Sequence, residues 1–368
     1  MTIAAHIRDT GQQQSFLYPC LLLLADRYPA DQFIFFADKP TDIPGSPPAN
    51  CKIIPVSPSI KNSLLLHYWY NFKLPGILQK LNAAVFLSES AVCSLRTLTP
   101  QCMILEDISF LQKKNLLQNG NGRYLKKFFA KFIDKTTAVL ATENYIAPLL
   151  LLKYPSLQSK ISFTARGLNK AYRPVYGNQK EEQLSQYTNG KEFFFCECSA
   201  LTQPNIVYVL KAFSLFKKRL KSNMQLLLLL NNISAKECIN DFTNYKFRHE
   251  VKFIPHESHE KTALLLASAY ACIYLPQTMP AAYTGLHAMA CAVPLITCGS
   301  IEAQSVYTTA ALHTSTDEKM IAENIMLLYK DELLRNEYIK KGEELAASYT
   351  WPAAASLVWQ SILSISRN

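Results

Sequence analysis

Short apolar runs alternate along the chain with longer stretches whose apolar residues recur at helical spacing. Short apolar runs predict buried strands, and their alternation with helices predicts parallel βαβ units. Each half of the chain has its own series of runs, so we predict two doubly wound α/β domains with a sheet in each. The predicted strands are Ile3–Ile7, Phe33–Ala37, Lys52–Val56, Ala84–Leu87, Cys102–Leu105, Ala138–Thr142, Glu192–Cys196, Met224–Leu230, Val251–Ile254, Ala271–Leu275 and Pro294–Thr297.

A polar stretch separates the two series of runs. Residues 173–190, RPVYGNQKEEQLSQYTNG, contain a proline and two glycines, so we predict a linker there. The linker would join an N-terminal domain at 1–172 to a C-terminal domain at 191–350. The remaining segment, 351–368, has a proline at a good first-turn position and predicts a final helix.

Length and composition limit the class of protein. A chain of 368 residues, 49% of them hydrophobic, can bury two cores. Its ten cysteines lie in apolar contexts, and Cys196 and Cys198 lack a second pair at zinc-binding spacing. We therefore expect reduced thiols, no disulfides, no metal and no bound cofactor. Without a membrane-spanning apolar run or a hydrophobic leader, the sequence predicts a cytoplasmic protein.

The net charge of +10 favours an anionic partner. Between residues 123 and 135, basic residues alternate with aromatic and aliphatic ones in a predicted helix. One interpretation is peripheral contact of this helix with the inner face of an anionic membrane. The other is a core-facing apolar stripe backed by solvated lysines. No zinc-finger, ribonucleoprotein or helix-turn-helix signature is present, so we do not expect nucleic acid as a partner.

Residues 270–297, YACIYLPQTMPAAYTGLHAMACAVPLIT, carry the most informative motif. This segment resembles the donor-site segment of family 4 (group 1) glycosyltransferases of the GT-B fold. The family's two glutamates, eight residues apart, are replaced here by Met279 and His287. Other segments that resemble the family are ILED at 104–107, ATENY at 141–145, SFTARGLNKAYRP at 162–174, FFFCECSALTQPN at 193–205 and YTWPAAASLVW at 349–359.

The resemblance implies the GT-B architecture. Its two Rossmann-like domains face one another across a cleft, the acceptor binding in the N-terminal domain and a nucleotide sugar in the C-terminal one. The final helix, 351–368, would cross back to pack on the N-terminal domain. No metal is implied.

The resemblance also implies the residues of the donor side. The family's arginine and lysine, which hold the donor diphosphate, are replaced by Gln203 and Pro204. The next family residue, an asparagine, is kept as Asn205, which a helix cap explains equally well. His287 is either a hydrogen-bonding ligand or a packed histidine. The donor-binding candidates are Gln203, Asn205, His287, Glu302, Arg166 and Gly11.

On the acceptor side, Glu106 and Asp107 stand where the family has a histidine and an aspartate, and they are the catalytic candidates. Ser88 would lie beside them. Arg166 either supplies positive charge near a phosphate or is an ordinary surface arginine.

Two functions follow from the resemblance. The first is transfer of a sugar, with retention, from a nucleotide sugar to a glycan or lipid-linked acceptor. The alternative is a catalytically degenerate homologue that binds a glycan or partners an active glycosyltransferase, which the substitutions at 203, 204, 279 and 280 favour. An altered donor, such as a lipid-phosphate sugar, is a third interpretation. No nucleophile elbow, P-loop or zinc-protease helix is present.

Overall fold

A computed structural model of the protein describes residues 1–7, 15–38, 47–89, 91–112, 120–239, 242–277 and 283–366. The chain divides into two compact units: unit 1 is Met1–Gly167 with Tyr349–Asn368, and unit 2 is Leu168–Ser348. The structure differs from the predicted linker at 173–190, because this segment contains a helix of unit 2, Asn178–Thr188. Nearly all residues of that helix are at least partly exposed, so its sequence is as polar as that of a loop.

Each unit contains one sheet whose paired strands are all parallel. The strand order is β3-β2-β1-β4-β5-β6-β7 in unit 1 and β10-β9-β8-β11-β12-β13 in unit 2. The strands are β1 (Thr2–Ile7), β2 (Gln32–Ala37), β3 (Cys51–Pro55), β4 (Val85–Ser88), β5 (Gln101–Leu105), β6 (Ala138–Ala141), β7 (Ile161–Phe163), β8 (Phe193–Cys198), β9 (Gln225–Leu230), β10 (Val251–Pro255), β11 (Ala271–Tyr274), β12 (Leu295–Cys298) and β13 (Ala311–Thr314).

The helices that connect the strands cover both faces of each sheet, as a doubly wound α/β fold requires. A π-helical turn, Trp69–Lys73, joins the second and third helices. The α-helices are α1 (Leu17–Arg27), α2 (Ser63–Tyr68), α3 (Leu74–Lys80), α4 (Ser109–Gln112), α5 (Gly120–Lys135), α6 (Ile146–Lys153), α7 (Asn178–Thr188), α8 (Gln203–Leu220), α9 (Ala235–Cys238), α10 (His259–Ala267), α11 (Tyr283–Ala290), α12 (Ile301–Tyr307), α13 (Glu318–Lys330), α14 (Glu332–Ala346) and α15 (Trp351–Ser366).

The C-terminal helix α15 belongs to unit 1 although the whole of unit 2 precedes it in the chain. Val358 and Ile362 are fully buried in a core cluster that also contains residues of α1, β1 and β5. Trp359 stacks on Tyr28 with 4.0 Å between ring centroids. The structure therefore confirms the prediction that the final helix returns to the first unit.

The burial of the side chains of α5 distinguishes between the two interpretations of this helix. Tyr124, Phe129 and Phe132 are buried in the core cluster on the other face of the unit 1 sheet. The basic residues of the helix are exposed. The core-facing interpretation is thus confirmed for these three rings, and a membrane could contact only the opposite, lysine-bearing side of α5.

Sequence pattern predicted eleven of the strands and missed β7 and β13. Both are edge strands, and each has residues that are only partly buried. A strand with water on one side needs fewer apolar residues, so its pattern is weaker than that of a central strand.

One pair of cysteines differs from the expectation of reduced thiols. Cys198, the last residue of β8, forms a disulfide with Cys238 at the end of α9. The expectation of no disulfide is therefore wrong for this pair. The remaining cysteines are free, and most are buried. Burial raises the pKa of Cys102 to about 12, so this thiol stays protonated at neutral pH.

Gly285 in α11 is required by packing. An added Cβ would overlap the Tyr307 hydroxyl and lie 2.7 Å from Leu295 Cδ2. We expect Gly285→Ala to lower the free energy of unfolding by about 1–3 kcal/mol in urea denaturation, because the overlap outweighs alanine's better helix propensity. Gly76→Ala in α3 is the matched control, since no atom lies within 4 Å of its Cβ position. It should be neutral or stabilising, and an equal loss in both variants would contradict the prediction.

Candidate functional site

The strand order of unit 1 reverses between β1 and β4, and ligands of open α/β sheets bind at such a point, beyond the carboxyl ends of the strands. Glu89, which follows β4, is buried there. Its Oε1 accepts hydrogen bonds from Ser15 Oγ at 2.8 Å and from the backbone N–H of Leu17, the first residue of α1, at 2.7 Å. A carboxylate is favourable at a helix N-terminus. These contacts fix Glu89 to the start of α1.

Glu106 and Arg166 extend this group along the same edge. Glu106 follows β5, and Arg166 follows β7. Arg166 Nη1 lies 3.1 Å from Glu106 Oε2, Nη2 lies 3.5 Å from the Ser15 carbonyl oxygen, and Cζ lies 5.6 Å from the Trp351 ring centroid. Arg166 is only 7% exposed. The surface-arginine interpretation is therefore wrong: the guanidinium is buried beside a carboxylate.

The electrostatics of the group centre on Glu106. Burial raises the pKa of its carboxyl to about 7, and the negative charge of Glu89 adds to the rise while Arg166 opposes it. Such a carboxyl exchanges its proton near neutral pH, as a general acid or base must. Its neighbour Asp107 is exposed. Ser88 is buried, and its hydroxyl donates to the Val92 carbonyl.

In unit 2 the strand order reverses between β8 and β11. Glu197, the penultimate residue of β8, lies at this point. Its two carboxylate oxygens accept hydrogen bonds from Asn231 Nδ2 at 2.9 Å and from Thr284 Oγ1 at 2.6 Å. We did not single out Glu197 in the sequence. The available signal was a single charged residue within the otherwise apolar strand FFFCEC.

His287 lies on α11 and is partly buried. Its ring stacks on Tyr172 with 3.7 Å between centroids and an interplanar angle of 4°. The Tyr172 hydroxyl lies 3.4 Å from Nδ1 of His259, and burial raises the Tyr172 pKa. One face of the His287 ring is therefore covered by the Tyr172 ring.

Gln203 and Asn205, both predicted to line the donor side, lie at the start of α8. The N–H of Gln203 donates to Ser199 O at 2.8 Å, and that of Asn205 to Thr202 O at 2.9 Å. Asn205 Nδ2 donates to the Leu275 carbonyl at 2.9 Å. Asn205 is the third residue of the helix, which Thr202 precedes, so the helix-cap explanation is wrong.

Of the other predicted donor residues, the structure describes Glu302. Glu302 lies in the first turn of α12 and is partly buried. Gly11, Met279 and the segment 280–282 lie outside the described residues. Among the described residues, no group of three or more His, Cys, Asp and Glu side chains could hold a metal ion. Within the same part of the chain, no helix is long and apolar enough to cross a membrane.

Both edges lie where the strand order of a parallel sheet reverses, which is where ligands of open α/β sheets bind. Residues 178–345 match the family model of glycosyl transferases group 1. No curated protein shows a significant sequence match to the chain. The matched segment lies entirely in unit 2.

Solved structures similar to this chain include glycosyltransferases. One from Rickettsia africae has a TM-score of 0.73 at 12% identity, covering 100% of this chain and 99% of its own. WaaG, a glycosyltransferase involved in lipopolysaccharide biosynthesis, has a TM-score of 0.70 at 13% identity, covering 97% of this chain and 99% of its own. HepE from Anabaena, in complex with UDP-glucose, has a TM-score of 0.70 at 12% identity, covering 100% of both. The predicted GT-B fold is confirmed.

The Glu197–Thr284 contact gives a direct test of the unit 2 edge. We expect Thr284→Val to lower the free energy of unfolding by about 1.5–3 kcal/mol, because it leaves a half-buried carboxylate without one of its donors. Thr284→Ser keeps the hydroxyl and should retain most of the stability. Urea unfolding of both variants checks this, and equal losses in valine and serine variants would show that the hydroxyl contributes nothing.

Proposed function

We propose that this protein transfers a sugar, with retention, from a nucleotide-sugar donor to a glycan or lipid-linked acceptor. Three findings support the proposal: the family match over 178–345, the GT-B fold, and a similar structure solved with UDP-glucose. The donor would bind at the unit 2 edge and the acceptor at the unit 1 edge.

The observation that carries the proposal is the group formed by the buried residues Glu89, Arg166 and Ser15 and the partly buried Glu106. A partly buried carboxyl with a pKa of about 7, next to a second carboxylate and a cation, is characteristic of sites that move protons. In its ionised form, Glu106 would accept the proton of the acceptor hydroxyl as its oxygen bonds to the anomeric carbon. The bond from that carbon to the donor phosphate would break at the same time, and the nucleoside diphosphate would leave from the face that the acceptor attacks, which retains the configuration. Asp107, exposed beside it, would hydrogen-bond acceptor hydroxyls.

On the donor side, Glu197 supplies a carboxylate at the reversal of strand order. In this proposal it binds hydroxyl groups of the donor, a role for which the family uses the glutamates that are absent at 279 and 287. Gln203, Asn205, His287 and Glu302 are the other donor-side candidates. Arg166 and Gly11 remain candidates on the evidence of the resemblance, although the Arg166 guanidinium pairs with Glu106.

Sugar transfer tests the proposal. The purified protein would be incubated with radiolabelled uridine and guanosine diphosphate sugars and with glycan and lipid extracts as acceptors. We expect protein-dependent label in one acceptor fraction and release of a nucleoside diphosphate. Absence of both, from folded protein and across the whole panel, would contradict it.

A second candidate function is supported by the start of α8. The backbone N–H groups of Gln203 and Asn205 donate hydrogen bonds to carbonyl groups of the protein, and Pro204 has no N–H. With Gln203 and Pro204 in place of two cations, this edge offers a diphosphate little positive charge. That observation favours a homologue that binds a glycan or partners an active glycosyltransferase. Glycan binding without transfer by the folded protein would support it.

A further inference from the structure

An exposed apolar stripe runs along one helical segment of unit 1. Leu64, Tyr68 and Phe72 follow one another at intervals of four residues through α2 and the π-helical turn. They are 79%, 41% and 55% exposed, whereas Leu66 and Trp69 between them are buried in the core. Large apolar side chains that share one exposed helix face mark an interaction surface.

Aromatic contacts join this stripe to the basic side of α5. The Tyr68 and Phe72 rings stack with 5.8 Å between centroids. His67, on the same helix as Tyr68, lies 5.2 Å from the ring of Phe128 on α5. The stripe and α5 therefore form one continuous surface.

Cations surround these rings. Lys127 Nζ and Lys131 Nζ lie 5.4 Å and 5.7 Å from the Phe128 centroid, and the Arg96 guanidinium lies 4.4 Å from that of Phe72. The segment from 61 to 80 contains no acidic residue, and α5 contains a single one, Asp134. The exposed cations of α5 are Arg123, Lys126, Lys127, Lys131 and Lys135.

We propose that this surface, formed by Leu64, Tyr68, Phe72, Arg96, Lys127 and Lys131 and called here the lipid-docking patch, binds anionic phospholipid bilayers. Leucine and aromatic side chains enter the headgroup boundary, while lysines and arginine attract the anionic headgroups. Charge complementarity favours a lipid surface, and the exposed leucine favours it over a purely polyanionic partner. The buried rings of α5 play no part; the apolar contribution comes from α2 and the π-helical turn. This inference does not depend on the proposed transferase activity.

Vesicle sedimentation tests the proposal with the full-length protein. Vesicles of phosphatidylglycerol and phosphatidylcholine should bind it, and pure phosphatidylcholine vesicles should bind it much less. Lys127→Ala/Lys131→Ala should weaken binding about thirtyfold, because each surface cation contributes about fivefold. Leu64→Ser/Phe72→Ser should weaken it about tenfold, since both side chains enter the bilayer only partly.

Matched controls separate the patch from general effects. Lys319→Ala/Lys340→Ala removes the same charge from exposed positions of unit 2, and Leu152→Ser removes a side chain that is 83% exposed on α6. Both should bind vesicles as the unmodified protein does. Failure to bind anionic vesicles, or equal losses in the control variants, would overturn the proposal. Concentration-dependent self-association in sedimentation velocity, abolished by Leu64→Ser/Phe72→Ser, would overturn it in favour of contact between copies of the chain.

Discussion

Replacing Arg166 with methionine should lower the free energy of unfolding of unit 1 by about 3–5 kcal/mol at pH 8, because it leaves the partly buried Glu106 carboxylate without its cation. Arg166 pairs with Glu106 and lies against the Ser15 carbonyl. At pH 8, above its pKa of about 7, Glu106 is ionised. Urea unfolding, followed by tryptophan fluorescence and circular dichroism, would measure the loss.

The effect of Arg166→Met should depend on pH. At pH 5 Glu106 is protonated, so removing the arginine should cost less than at pH 8. Arg173→Met, at an exposed position, is the control and should have little effect at either pH. Adding Glu106→Gln to Arg166→Met should restore much of the lost stability. A loss that is the same at pH 5 and pH 8, or that Glu106→Gln does not relieve, would show that Arg166 acts through packing alone.

Replacing Glu106 with glutamine should reduce sugar transfer by about 100-fold or more, because an amide cannot take the proton of an acceptor hydroxyl. The loss should fall on kcat, with little change in the KM for the donor, which binds in unit 2 under the proposed function. In the unmodified protein, transfer should rise with pH through about 7 as Glu106 ionises. In Glu106→Gln this rise should be absent.

Stability should change in the opposite direction over the same pH range. The pKa of Glu106 is about 7 in the folded protein, against an ordinary value of 4.5. Between these values the folded state binds more protons than the unfolded state, so the free energy of unfolding falls as pH rises. Glu106→Gln should flatten this dependence. A Glu106→Gln variant that is active and has an unchanged pH profile would show that Glu106 takes no part in the mechanism.

Much of the fold could be predicted from the sequence because central parallel strands are buried on both faces. The run LLLLL in β9 and the amphipathic period of α8 are examples of such sequence signals. The exposed helix α7 and the edge strands β7 and β13 lack these signals. The Cys198–Cys238 disulfide joins residues 40 positions apart, a proximity that spacing does not reveal.

The candidate site was less predictable, because its chemistry comes from residues that are distant in sequence. Arg166 and Glu106 are 60 residues apart, and each has an ordinary local context. Only the order of the strands brings them to one edge and buries the arginine. Glu197 was missed for a related reason: its partners, Asn231 and Thr284, come from two other connections of the unit 2 sheet.

The central claim is that unit 2 binds a nucleotide sugar. Calorimetric titration of the purified protein with uridine and guanosine diphosphate sugars, and with the free nucleotides, tests it most directly. We predict saturable binding of at least one sugar nucleotide, weakened by Glu197→Gln, with thermal stabilisation that grows with ligand concentration. No heat and no shift in Tm at millimolar ligand, from well-folded protein, would contradict the claim and favour the non-catalytic homologue.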